Sequence, residues 1–146
     1  LLEYLWLSLT AWFMGFFPLF EIYIAIPSTI ALGLDATSAI IWSCLGNFIA
    51  IPFVVFFYDS LSRIKKVRSY LGKLSRSKFS EKMRKGSFVF ILVGTPIVGS
   101  WAVGAIGKVI GLEKRKLFLS SAVSICVYGV IIGVLTKLGV DAFFLA

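Results

Sequence analysis

Glu21 is the residue with the clearest chemical potential in this chain of 146. It stands in the run 17–35, FPLFEIYIAIPSTIALGLD, which is almost wholly apolar. A carboxylate set deep in hydrocarbon is expensive, faces protein or a cavity, and marks proton relays and ion paths. Its bland alternative is a protonated or locally bonded side chain that stabilises a helix start. Pro18 and Pro27 flank it. A proline inside a helix removes one hydrogen bond and clashes with the preceding turn, so the helix breaks or kinks there. A helix that merely spans a membrane has no use for either feature.

The same outline returns 78 positions later. Pro18, Gly33, Leu34, Asp35 and Ser43 match Pro96, Gly111, Leu112, Glu113 and Ser121 without a gap. Glu21 and Tyr23 meet Gly99 and Trp101, so the two stretches agree in outline and differ in chemistry. Pro18 and Pro96 suit the first position of a returning helix, where the amide would be unpaired anyway. Each such start offers partial positive charge and free amides to a phosphate or carboxylate. Thr95 and Ser100 supply hydroxyls to a ligand or to the broken backbone. Asn47, an amide in mid-segment, must face protein or a cavity. The expected proton- and substrate-binding set is therefore Glu21, Pro18, Tyr23, Pro27, Asn47, Thr95, Pro96, Gly99, Ser100 and Trp101. Lys108, near the mouth of the second stretch, either snorkels to headgroups or touches an anionic one.

Composition says which solvent these elements fold in. Hydrophobic residues make up 59%, charged residues 15%, and mean hydropathy is +0.96. Soluble domains are about 45–50% apolar and about 25% charged. An integral membrane protein, one domain over 1–146, is expected. Residues 5–34 are too long for one span of ~20 residues and too short for two. A hairpin that dips to mid-membrane at 15–18 and returns fits; a kinked, tilted single helix is the alternative. Residues 37–58 read as an ordinary span containing Asn47 and Pro52, with Asp35 or Thr37 as N-cap. Residues 88–112 repeat the hairpin, broken at 94–96, and 117–140 form the last span. Gly129 and Gly133 in that span have the GxxxG spacing that permits close packing within or between chains.

Residues 59–87 carry ten bases against Asp59 and Glu81, the whole net charge of +8. The positive-inside rule puts such a block in the cytoplasm. Leu61, Ile64, Val67, Leu71 and Leu74 form one stripe of a helix whose other face is basic. A helix lying on the anionic inner leaflet is expected, with a solvated loop as the alternative, and Ser80 with Glu81 starts a second short helix. Lys114, Arg115 and Lys116 are correctly placed if 88–112 is re-entrant with both ends cytoplasmic; the turn 35–37, without bases, then lies outside. The halves 4–58 and 88–142 become an inverted repeat around the linker. Transporters of that plan bring broken half-helices together near the midplane.

Several function classes fall away. Apart from Tyr70 and Phe79, the aromatics lie in membrane segments rather than among the bases, which argues against nucleic acid. Cys44 and Cys126 sit in apolar helices, with no CxxC and no histidine in the chain. Metal, haem and Cys/His nucleophile readings lack their ligands or bases, and the cysteines read as small apolar side chains. No cofactor is expected. An enzyme is not expected either, since Glu21 has no titratable partner within its segment. The opening residues do not read as a secretory signal, because Glu3 makes them acidic and the apolar run continues into Pro18 and Glu21.

Glu21-Ile-Tyr-Ile-Ala-Ile-Pro27, then Gly46-Asn47 with Pro52, then Pro96-Ile-Val-Gly99-Ser-Trp101 resemble the small multi-drug export protein family, distantly related to the DedA/VTT membrane proteins. The resemblance runs over nearly the whole chain. The family usually has an arginine two residues after the glutamate, where this chain has Tyr23. It also tends to show a Pro-x-Pro-x-Thr-Gly-x-Trp run, where this chain has Gly94 and Val98 for the first proline and the threonine. The family name implies drug export. The DedA/VTT relatives imply proton-linked movement of polyprenyl-phosphate lipids or phospholipid scrambling, and re-entrant hairpins.

The expected fold is an all-α integral membrane protein: an inverted repeat of two re-entrant helical hairpins and two transmembrane helices, joined by a basic amphipathic linker. Its expected place is the prokaryotic cell (inner) membrane, with 59–87 cytoplasmic. The expected function is a homodimeric, proton-coupled transporter of an amphipathic or anionic-headed, lipid-like substrate of polyprenyl-phosphate or phospholipid type. A multidrug exporter is one alternative. A non-transporting assembly protein that uses its basic linker is another. The expected partners are anionic inner-leaflet lipids, the substrate, protons and a second copy.

Overall fold

The computed structural model describes residues 1–85 and 88–145; residues 86 and 87, the end of the predicted linker, lie outside the described residues. The elements are all helical: α1 (Leu2–Phe16), α2 (Glu21–Ala31), α3 (Ala36–Leu61), α4 (Lys65–Ser75), α5 (Lys78–Lys85), α6 (Phe88–Val98), α7 (Ser100–Val109) and α8 (Lys114–Leu145). Among the described residues two helical stretches are long and apolar enough to cross a membrane, Ala36–Leu61 and Lys114–Gly139, each of 26 residues. At 1.5 Å per residue such a helix runs ~39 Å, more than the ~30 Å hydrocarbon core. The arms α1, α2, α6 and α7 have 15, 11, 11 and 10 residues. They reach only ~15–22 Å, short of a crossing.

The chain divides into two compact units. The first holds 1–47 with α8 from Ile125 onward; the second holds 48–124. The first unit thus combines α1 and α2 with the start of α3 and the larger part of α8, and the second combines α4, α5, α6 and α7 with the rest of α3 and the first turns of α8.

In the first unit α1 and α2 pack as a hairpin. Phe17 closes α1 with φ −75° and ψ 132°, the extended conformation that a following proline imposes. The amides of Phe20 and Glu21 both donate to the Phe17 carbonyl, at 3.2 Å, and the turn is complete by Phe20. The predicted break at 15–18 therefore falls at 17–20. Pro18 lies in the turn, not at the first position of the returning arm, which Glu21 takes. Gly15 and Gly46 let α1 and α3 meet backbone to backbone: a Cβ on either would collide with the Ser43 or Trp12 carbonyl. Gly129 and Gly133 of α8 admit Cys44 and Ile40 of α3, in the order that an antiparallel pair requires. The GxxxG spacing is used inside this unit.

In the second unit α6 meets α7, and α4 and α5 pack on α7 and α6 respectively. The predicted break at 94–96 is not there. Pro96 lies inside α6, and the chain breaks three residues later at Gly99, with φ 95° and ψ 153°. Backbone of that kind is essentially reserved for glycine. Pro96 is tolerated because the carbonyl four residues earlier finds another donor, the Ser124 hydroxyl on Leu92.

The predicted amphipathic helix is α4, after a turn at 62–64. Its apolar stripe packs on protein at Leu71. Leu71 is 0% exposed and clusters with Val54 and Ala105, with Val67, Leu74 and Trp101 around them. Burying a leucine stabilises by about 1.5–3 kcal/mol. Ile64, also assigned to the stripe, stays outside at 56% exposure. The second short helix begins at Lys78 and carries Phe79 onto Phe90 (ring centroids 5.0 Å apart).

The 78-residue outline of the sequence is also an outline of the backbone. Four described residues have a left-handed φ: Glu21 (46°), Gly33 (105°), Gly99 (95°) and Gly111 (69°). They are two pairs, each 78 apart. The helix ends match bond for bond: Leu34 N–H donates to Thr29 O at 3.0 Å and Leu112 N–H to Gly107 O at 2.9 Å, the 6→1 bond of a Schellman cap.

Candidate functional site

Glu21 opens α2 in a conformation that non-glycine residues seldom adopt. Where the second hairpin has Gly99, free to take a positive φ, the first has a side chain with a carboxylate. A strained residue of this kind persists only where its surroundings hold it, and such residues cluster at functional sites. Glu21 is half-buried, with Pro18 half-buried in the turn before it and Pro27 inside α2. Tyr23 is 45% exposed and lies in the neighbourhood of Tyr128 of α8 and of Glu21. Asn47 is buried at the tip of this hairpin and donates from Nδ2 to the Gly15 carbonyl at 3.0 Å. That carbonyl lies in the last turn of α1, whose acceptors have no partners within the helix. The first unit thus brings Pro18, Glu21, Tyr23, Pro27 and Asn47 onto one hairpin and its support.

In the second unit Gly99 and Ser100 form the start of α7. Ser100 is 0% exposed and its hydroxyl has no hydrogen-bond partner among the described residues. Thr95 is buried, and its hydroxyl is engaged with the Ile91 carbonyl at 2.6 Å. Pro96 is buried within α6. Trp101 is half-buried against Phe53, ring centroids 6.0 Å apart. Lys108 is exposed in the last turn of α7.

Sequence reasoning missed three residues. Ser124 does for Leu92 what Asn47 does for Gly15, and the two sit one residue out of step with the 78-residue spacing. The signal was available, since Pro96 must orphan the Leu92 carbonyl. Tyr128 left no mark in the local pattern. Lys114, counted only as a topological charge, is held over the Phe56 ring with its Nζ 4.9 Å from the centroid. Outside the spans, Asp35 caps α3 by accepting from the Ser38 amide at 2.8 Å, and bonds to Ser38 hold its carboxyl below the usual carboxylate range. Among the described residues, no group of three or more His, Cys, Asp or Glu could hold a metal ion.

An apolar hairpin that carries a strained glutamate, ahead of a long apolar helix, is the feature that a family comparison can decide. The family model described as "Putative small multi-drug export protein" matches residues 21–131, from Glu21 deep into α8. The chain belongs to that family. No curated protein and no solved structure matches it. Membership associates this small multi-drug export family protein with membrane transport and accords with its two helices long and apolar enough to cross a membrane.

Proposed function

We propose that this protein is a proton-coupled membrane transporter that moves an amphipathic, anionic-headed substrate of phospholipid or polyprenyl-phosphate type. One observation carries the reading: Glu21 is held in a left-handed conformation at the apex of an apolar hairpin. A carboxylate there takes up and releases a proton as its surroundings change, and a strained backbone gives that change two states to choose between. The start of α7 is the proposed anion seat, since a buried hydroxyl without a partner and the first amides of a helix both favour an acceptor. Pro18, Tyr23, Pro27, Asn47, Thr95, Pro96, Gly99 and Trp101 shape these two places.

The short arms support re-entrant hairpins, and the bases support a cytoplasmic position for 59–87 and for the α7–α8 turn. With α3 as a crossing helix, the repeats then have inverted topology. A homodimer is proposed as the working form; with Gly129 and Gly133 packed internally, its contact uses other residues. Drug-like cations, which the family name suggests, are the alternative cargo. A non-transporting assembly role has one observation behind it: α4 spends its apolar face on protein, leaving Lys65, Lys66 and Arg68 exposed to a partner or headgroups.

The test is transbilayer movement of a fluorescent phosphatidylglycerol and of a polyprenyl phosphate in proteoliposomes, with and without an imposed pH gradient. Wild-type protein should respond to the gradient. Glu21→Gln should fold and lose the response. A variant that still follows the gradient like wild type sinks the proton-site reading.

A further inference from the structure

A cavity of about 250 Å³ lies at the α7–α8 turn, wholly within the second unit. Val55, Leu112 and Leu117 line it with hydrocarbon, and Lys108 and Lys114 are the two charged residues of its wall. Gly111 leaves its side open: a Cβ there would meet nothing within 4 Å. The volume exceeds that of a phosphate and falls far short of a whole lipid.

Lys114 is not an ordinary solvated charge. It is tethered over Phe56, although an exposed lysine usually gains more from full hydration. Lys108 and Lys114 are both exposed in outline, yet among the described residues neither has a carboxylate partner. Lys114, Arg115 and Lys116 also occupy the first turn of α8, which holds no acidic residue. Cations at the positive end of a helix are disfavoured, and the acidic neighbour there is Glu113, whose carbonyl accepts from the Leu117 amide at the helix start. Positive-inside sorting would be served equally by bases placed anywhere in the turn. It gives no reason to gather two of them on one cavity with an apolar floor. Seventy-eight positions earlier stand Ile30 and Ala36, so the repeated backbone carries this charge at one end only.

We infer that the Lys108–Lys114 cavity is a phosphate-binding site that takes the phosphate of an amphiphile, its charge on the two ammonium groups and its first carbons against Val55, Leu112 and Leu117. Lys108 and Lys114 form charge-assisted hydrogen bonds to the phosphate oxygens, and Phe56 fixes Lys114 in place. The inference deepens the proposed function by giving the substrate a cytoplasmic docking point, and it does not require Glu21.

The experiment is native mass spectrometry and fluorescence binding of short-chain phosphatidic acid to the full chain in phosphatidylcholine nanodiscs. Lys108→Met with Lys114→Met should weaken phosphatidic acid at least tenfold and leave phosphatidylcholine association unchanged. Lys108→Arg with Lys114→Arg keeps the charge and should keep binding within about threefold, which separates loss of charge from loss of fold. Unchanged phosphatidic acid binding in the methionine pair overturns the inference, as does equal loss in the methionine and arginine pairs. Inorganic phosphate distinguishes the sources. Competition at millimolar concentration assigns the cavity to free phosphate and overturns the amphiphile, whereas no competition supports a headgroup held with its chain. If Glu21→Gln loses flux control while the lysine results hold, the two readings stand separately. If Glu21→Gln behaves as wild type, only the transporter reading falls.

Discussion

Glu21→Gly should be more stable than Glu21→Ala, the reverse of what a helix normally gives. In an ordinary helix interior alanine is favoured over glycine by about 0.8–1 kcal/mol. Glu21 has φ 46°, and a side chain with a Cβ pays about 1–2 kcal/mol there because Cβ crowds the following carbonyl. Glycine escapes that term but loses about 0.5–1 kcal/mol more conformational freedom on folding. The difference leaves Glu21→Gly ahead of Glu21→Ala by about 0.5–1 kcal/mol. Both variants lack the carboxylate, so their difference reports the backbone alone. The second hairpin serves as a control: Gly99 has φ 95°, and Gly99→Ala should be clearly destabilising, by about 1–3 kcal/mol. Thermal unfolding in one detergent, followed by circular dichroism, reads all three. If Glu21→Ala equals or exceeds Glu21→Gly in stability, the left-handed conformation is wrong and the argument from strain goes with it.

Two further outcomes test the supports of the site. Asn47→Ala leaves the Gly15 carbonyl without its donor and should cost about 1–2 kcal/mol, near the upper measured range for polar contacts within membranes; an unchanged unfolding midpoint would mean that the bond contributes nothing. In a background lacking Cys44 and Cys126, single cysteines at Thr37 and Lys114, both exposed, should label from outside and from the cytoplasm respectively. Labelling of position 114 from outside would mean that α6 and α7 together cross the membrane.

The sequence by itself determined the solvent, the helical class, the two helices long enough to cross a membrane and the existence of two interrupted stretches. All of these follow from local quantities. Apolar length sets what can cross, proline removes an amide wherever it stands, and charge sorts by side of the membrane. The repeat was legible for the same reason: Gly33 and Gly111 sit where only a left-handed cap ends the helix, and that demand is written into residue type. The exact breaks were not legible. Whether Pro96 ends a helix depends on whether another group satisfies the Leu92 carbonyl, and Ser124 lies 32 residues from it in the chain. Gly99 inherits the break only because Pro96 was rescued. The amphipathic stripe of α4 likewise showed that a face must be buried without saying against what, and the structure sets Leu71 of that stripe against Val54 and Ala105. The GxxxG of α8 had two uses until Ile40 and Cys44 filled it. At the candidate site the sequence picked out Glu21 by the expense of a carboxylate among apolar residues. Only tertiary structure could add its left-handed backbone, because a non-glycine residue takes that conformation when the packing around it, rather than its own preference, prevails.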